Sequence, residues 1–149
     1  MITVHARFDL SKGDFTDIDA LLEKVGLNKG GRVQSTIDQT VIDYCTPYVP
    51  ASPDRTLEFS APIATELGSG LVIWDTPYAR YQYYGWVMTD EAGRTWVGPG
   101  EKKPIITDRP LTYDKSQNPM AGSRWFERMK ADRLKDILDE ARRVAIMGE

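Results

Sequence analysis

Between Gly31 and Pro47 the apolar residues Val33, Ile37, Val41, Tyr44 and Cys45 recur at three-and-four spacing, and the pattern stops at a proline. Apolar side chains at that spacing share one face of an α-helix. Proline has no amide hydrogen and disfavours helical backbone in the residue before it, so the helix must end by about Cys45. Beyond it the texture changes. Pro47, Pro50, Pro53 and Pro62 divide the chain into short extended pieces, and "GSGLVIW", ending at Trp74, reads as a turn entering a buried strand. A bounded helix followed by a β-rich middle is the signature of an α+β chain.

The flanks extend this reading. Ile2, Val4, Ala6 and Phe8 alternate with Thr3, His5, Arg7 and Asp9, the period of a strand with one buried face. Ile18, Leu21, Leu22 and Val25 then predict a short helix that ends at Gly26. Trp86-Val87-Met88 and Thr95-Trp96-Val97 flank "TDEAGR", which predicts an antiparallel hairpin. Residues 98–119 hold prolines and charges that deny a regular ladder. Two readings stay open for them: an arm that orders on a partner, or a surface loop folded back on its own domain. Trp125, Met129, Leu134, Ile137, Leu138, Ala141, Val144 and Ala145 predict the longest helix, with Ser123 as its N-cap. The whole reads as a single domain over residues 1–149. Its expected architecture is one antiparallel sheet of about four to five strands, packed with two helices of the N-terminal half and the long C-terminal helix.

Several function classes lose support at this stage. A formal charge of −3 gives no general attraction to phosphates, so no specific nucleic acid is expected. No apolar run approaches the roughly 20 residues of a spanning helix, and the first residues lack the basic and apolar regions of a signal peptide, so no membrane partner and a cytoplasmic setting are expected. Cys45, the sole cysteine, falls on the apolar stripe and reads as a buried thiol. His5, the sole histidine, falls on the polar side of its strand. With no phosphate loop and no metal-ligand spacing, the expectation is no catalytic residues, no metal and no cofactor. Asp132, Asp136, Asp139 and Glu140 stand among Arg128, Lys130, Arg133, Lys135, Arg142 and Arg143, which reads as an ion-paired, solvated helix face.

The densest feature is "PYARYQYYG", residues 77 to 85, with four tyrosines and an arginine between a proline and a glycine. Tyr78, Tyr81, Tyr83 and Tyr84 with Arg80 could stack on bases, but an acidic chain favours packing and protein contact. If the stretch forms a helical turn, Tyr81, Tyr84 and Gly85 share a side with Tyr78, while Arg80 and Tyr83 face elsewhere. Pro77, Tyr78, Arg80, Tyr83, Tyr84 and Gly85 are therefore candidates for interface or fold-critical roles. Ile105, Ile106, Leu111 and Tyr113 join them as anchors of the 98–119 segment, and Trp125 joins them at the head of the last helix.

Three pieces stand in order: "YCTPYVP" at 44 to 50, "PYARYQYYG" at 77 to 85, and "PLTYDKSQNPMAGSRWFERMKADRLKDILDEARRVA" from Pro110 to Ala145. Together they resemble the minor capsid protein family of bacteriophages with long non-contractile tails, encoded among the head-to-tail joining genes. In outline they are also similar to other neck and tail-completion proteins. The resemblance implies a small α+β virion protein, assembled in the host cytoplasm into a ring-forming homo-oligomer. Its implied partners are other neck, portal-adaptor or tail-terminator proteins, and it implies no catalytic residue. One step departs from the pattern: where such proteins often carry Thr-Gly-x-Leu, this chain has Ser52-Pro53-Asp54-Arg55-Thr56-Leu57. The competing class is a small accessory enzyme or nucleic-acid-processing protein.

Overall fold

A computed structural model describes residues 2–5, 23–96, 98, 101 and 103–147. The order is β1 (Ile2–His5), α1 (Arg32–Cys45), a 3-10 turn (Thr46–Tyr48), α2 (Thr56–Ala64), β2 (Leu71–Trp74), α3 (Ala79–Tyr84), β3 (Trp86–Thr89), β4 (Ile105–Pro110) and α4 (Trp125–Met147). The chain is α+β, with α4 packed along α1. The strands form two separate antiparallel pairs, β1 with β2 and β3 with β4, where the sequence predicts one sheet of four to five strands. The two pairs are separated in the chain by α3, which turns its own buried line toward the core before β3 begins. The strand residues expected at 6–8, most of the helix expected over 18–25 and the side chain of His5 lie outside the described residues.

Helix α1 follows its apolar spacing, burying Val33, Ile37, Val41, Ile42 and Cys45. Its first turn has no side-chain cap. Instead the carbonyl of Gly26 accepts the amides of Val33 and Gln34 at 2.9 and 3.0 Å, satisfying donors that every helix start leaves open. That arrangement requires glycine at 31, because a Cβ there would stand 2.4 Å from the same carbonyl oxygen. At the other end α1 passes into the 3-10 turn, with Pro47 in its first positions.

Strand β2 buries Val72 and Trp74 against α1 and α2, and pairs with β1 so that Ile2 lies opposite Trp74. The turn before β2 hangs on Asp38. Its fully buried carboxylate accepts the amides of Gly68 and Gly70 at 2.7 and 3.1 Å and the Gln34 side-chain amide at 2.9 Å. Pro62 does not begin an extended piece. It sits inside α2, where Leu57 and Ala61, four residues apart, are both buried, and that packing holds a helix through its last turn despite the proline.

The hairpin expected around "TDEAGR" is half present. The turn forms, with the Asp90 carboxylate accepting the Arg94 amide at 2.7 Å and pairing with its Nε at 2.6 Å. Yet Met88 and Thr89 pair with Ile106 and Ile105, so β4 takes the place expected for residues 95–97. Segment 98–119 therefore contains a ladder. Pro104 precedes β4 and Pro110 ends it, positions at which a missing amide hydrogen is tolerated.

Asp38→Ala would leave two turn amides without their acceptor in the interior, and should lower unfolding stability by about 2–4 kcal/mol, with Asp38→Asn losing less. Equilibrium urea unfolding measures both. A neutral Asp38→Ala would mean that the turn holds itself.

Candidate functional site

The three stretches of sequence that stand out for aromatic and proline content meet in one junction. The 3-10 turn after α1 turns its carbonyls toward the segment before α4. Asn118 donates its side-chain amide to the Thr46 carbonyl at 3.1 Å and the Val49 carbonyl at 2.9 Å, and the Gly122 amide donates to the Tyr48 carbonyl at 3.2 Å. Asn118-Pro119-Met120-Ala121 is a turn closed by the Ala121 amide on the Asn118 carbonyl. Arg128, one turn into α4, reaches back over this loop and donates to the Ser123 and Met120 carbonyls, each at 2.8 Å. Tyr48 is buried under Arg128, with its hydroxyl on Asp132 at 2.6 Å.

Helix α3 enters from the opposite side. Its buried line is Ala79 and Tyr83, four residues apart, and the small Ala79 lets the helix approach the core closely. The Tyr83 ring stands edge-on to Trp125 at 4.6 Å, and Trp125 in turn stands edge-on to Trp74 at 5.7 Å. The Tyr83 hydroxyl donates to Glu127, and its carbonyl accepts the Arg124 amide at 2.8 Å. Gly85 ends α3 with φ of 81°, and a Cβ there would meet Ser123 Cβ at 2.9 Å. Its carbonyl accepts the Leu111 amide at 2.8 Å, while the Tyr113 hydroxyl bonds the Gln82 carbonyl at 2.5 Å. Those two contacts lay the end of segment 98–119 back on its own chain.

The faces of α3 differ from the expected grouping. Tyr83 points inward and Arg80 outward, and Tyr84, 38 % exposed, shares the outer face with Arg80. Tyr78 and Tyr81 are half-buried, their rings 6.3 Å apart, and Pro77 is exposed. Of the proposed anchors, Leu111 and Tyr113 dock, whereas Ile105 and Ile106 remain exposed on β4. Trp125 is fully buried. Helix α4 starts at Trp125 and not after Ser123: Arg124, with φ of 51°, is the residue that precedes it. Asn118 and Glu127 were not singled out from the sequence, and Arg128 and Asp132, read there as part of an ion-paired, solvated helix face, instead bind loop carbonyls and the Tyr48 hydroxyl. The Asn-Pro dipeptide signals a turn, but nothing local tells which distant carbonyls its asparagine will bind.

The electrostatics are those of a packed junction. Burial, reinforced by the hydrogen bond to Glu127, pushes the Tyr83 phenol far up, and the hydrogen bond to Asp132 raises that of Tyr48. Burial also raises the Cys45 thiol strongly, so it stays protonated and unreactive. Among the described residues no group of three or more His, Cys, Asp or Glu side chains comes together to hold a metal. On the outer side of α4, Lys135–Asp139 pair at 2.5 Å and Arg143 pairs with Glu140, while half-buried Arg133 pairs with Asp136 at 2.6 Å. No family model, curated protein or solved structure matches the chain.

Two outcomes follow from this geometry. Tyr83→Ala should cost about 3 kcal/mol or more, whereas Tyr84→Ala should cost less than about 1 kcal/mol, because only the first ring is enclosed. Equal losses in chemical denaturation would contradict the assignment of faces. The second outcome concerns pH. A phenol whose pKa is raised in the fold contributes stability that is intact below the ordinary value of 10.0 and is lost as pH climbs above it, because the unfolded chain releases a proton that the folded one retains. The urea midpoint should therefore fall above that pH, and Tyr83→Phe should flatten the fall.

Proposed function

We propose that this protein is a non-catalytic structural component of a long-tailed bacteriophage virion, a neck or tail-completion part that joins head and tail. The observation that carries the reading is the convergence of the three resembling segments. "YCTPYVP" supplies the carbonyls, "NPMAGSRWFER" supplies Asn118 and Gly122 that bind them, and "PYARYQYYG" supplies Tyr83, which packs on Trp125. A resemblance spread by chance over the chain has no reason to gather into one set of mutual contacts.

The chemistry supports the same reading. A joining part needs several protein-binding faces and has no use for a reactive centre. Around the junction Arg80, Tyr84 and Met120 are left exposed, with Trp86, Ile105 and Ile106 on the adjoining strand pair. Tyrosine, tryptophan and arginine are the residue types that contribute most at protein interfaces. Under this proposal the protein acts in the virion as a ring-forming homo-oligomer, assembled in the host cytoplasm, between other neck, portal-adaptor or tail-terminator proteins.

Deleting the gene should yield filled or fillable heads and separate tails that fail to make infectious particles, as scored by electron microscopy of lysates. Normally joined virions in such lysates would overturn the proposal.

A further inference from the structure

We propose that the outer face of α3, built from Arg80, Tyr84 and Arg124, is a docking site for a carboxylate-bearing segment of a partner protein. The inference rests on the reading of this chain as a protein-binding assembly part and names the contact chemistry of one face. Arg80 and Tyr84 are four residues apart on α3 and both exposed, so their side chains are neighbours on one surface. Arg124 completes it from the start of α4, its guanidinium lying 4.7 Å from the centre of the Tyr84 ring. The face thus presents two guanidiniums around one tyrosine on a chain whose net charge is negative.

Two observations set it apart from scattered surface charge. Arg124 holds a left-handed backbone, φ of 51°, that costs free energy in a residue other than glycine. Its amide is fixed on the Tyr83 carbonyl at 2.8 Å, so the fold holds the Arg124 backbone beside α3, with the guanidinium within reach of the Tyr84 ring. The cations are also nearly uncommitted. Among the described residues Arg80 makes no ion pair, and Arg124 makes one, an exposed contact with Glu127 at 3.8 Å, a separation and setting that contribute little.

Carboxylates fit this face better than a phosphate backbone. Nucleic-acid binding draws on many cations along a track, whereas this face presents two. A planar guanidinium pairs with a carboxylate through two parallel hydrogen bonds. The Tyr84 ring between them offers an apolar surface to the side chain that such a segment carries next to its acid.

The test is an amide NMR titration of the isolated protein with synthetic octaglutamate at low salt, with octathymidylate as a parallel probe. The expected result is a saturable shift at the amides of residues 79–86 and 124. Removing charge in Arg80→Gln or Arg124→Gln should weaken it about tenfold, with the remaining spectrum unchanged, and Lys130→Gln should have no effect. Absence of binding, shifts located elsewhere or variants that bind as well as the parent would overturn the proposal. Tighter binding of octathymidylate to this face would overturn the carboxylate assignment. If the peptide fails while the deletion still leaves heads and tails unjoined, the face is wrong and the assembly reading stands.

Discussion

The indole of Trp125 is enclosed between Trp74 of β2 and Tyr83 of α3, edge-on to both, and lies at the first position of α4. Burying a side chain of that size is worth several kcal/mol, enough to decide where the longest helix begins. Its Nε1 finds no acceptor among the described residues, so packing and not a hydrogen bond sets its position. Every element that touches it is thereby placed: β2 carries β1, α3 leads into β3, and α4 is aimed down α1. The unusual backbone of Arg124 follows as a consequence, because the chain must leave the Asn118 turn, bond Tyr83 and deliver the indole within a few residues.

Where local pattern and burial agree, the elements could be read in advance. Helix α1 is an example, since its stripe of Val33, Ile37, Val41 and Cys45 is buried in the core and Pro47 stands just past its end. Strand β2 is another, with Val72 and Trp74 buried on alternate positions. Helix α4 was legible as a helix and in most of its facing, with Leu134 the exception. Its buried line runs through Trp125, Met129, Ile137 and Ala141, and the residue in step between Met129 and Ile137 is Arg133, whose guanidinium lies 4.0 Å from the ring of Tyr44 on α1. A long cationic stem can cover apolar surface while its head meets an aromatic face. Leu134 is therefore displaced to an exposed flank, against what its hydrophobicity suggests.

The candidate site was legible in composition and obscure in connection. Tyrosine density marked residues 77 to 85, and Trp125 stood out at the head of its helix. Which tyrosine turns inward depends on Ala79, the one small residue within α3, and its effect appears only once a core is present to approach. The carbonyl clamp was invisible for another reason. Backbone acceptors carry no sequence signature, so Asn118 and Arg128 can be recognised as polar and turn-forming, but not as the groups that satisfy Thr46, Met120 and Val49.

The strand pair β3–β4 shows how the same physics limits what an exposed edge can do. A two-stranded ribbon is marginal by itself in water, and β4 is held through β3, the Leu111 amide on Gly85 and the Thr107 hydroxyl on Val87. Its Ile105 and Ile106 are exposed, which taken alone would invite another strand. The rest of β4 is Thr107, Asp108, Arg109 and Pro110, and adjacent charges with a proline are the means by which edge strands discourage indiscriminate pairing. Lys103, just before β4, donates to the Thr95 carbonyl and stands over the ring of Tyr81, joining the ribbon to α3. Partial burial pulls the Lys103 pKa down. The segment for which the sequence left open an outward arm or a loop folded back is tied to the helix whose other face remains open, and the two features share one cause. Contacts that secure the ribbon use the Tyr81 side of α3, leaving Arg80 and Tyr84 free for something else.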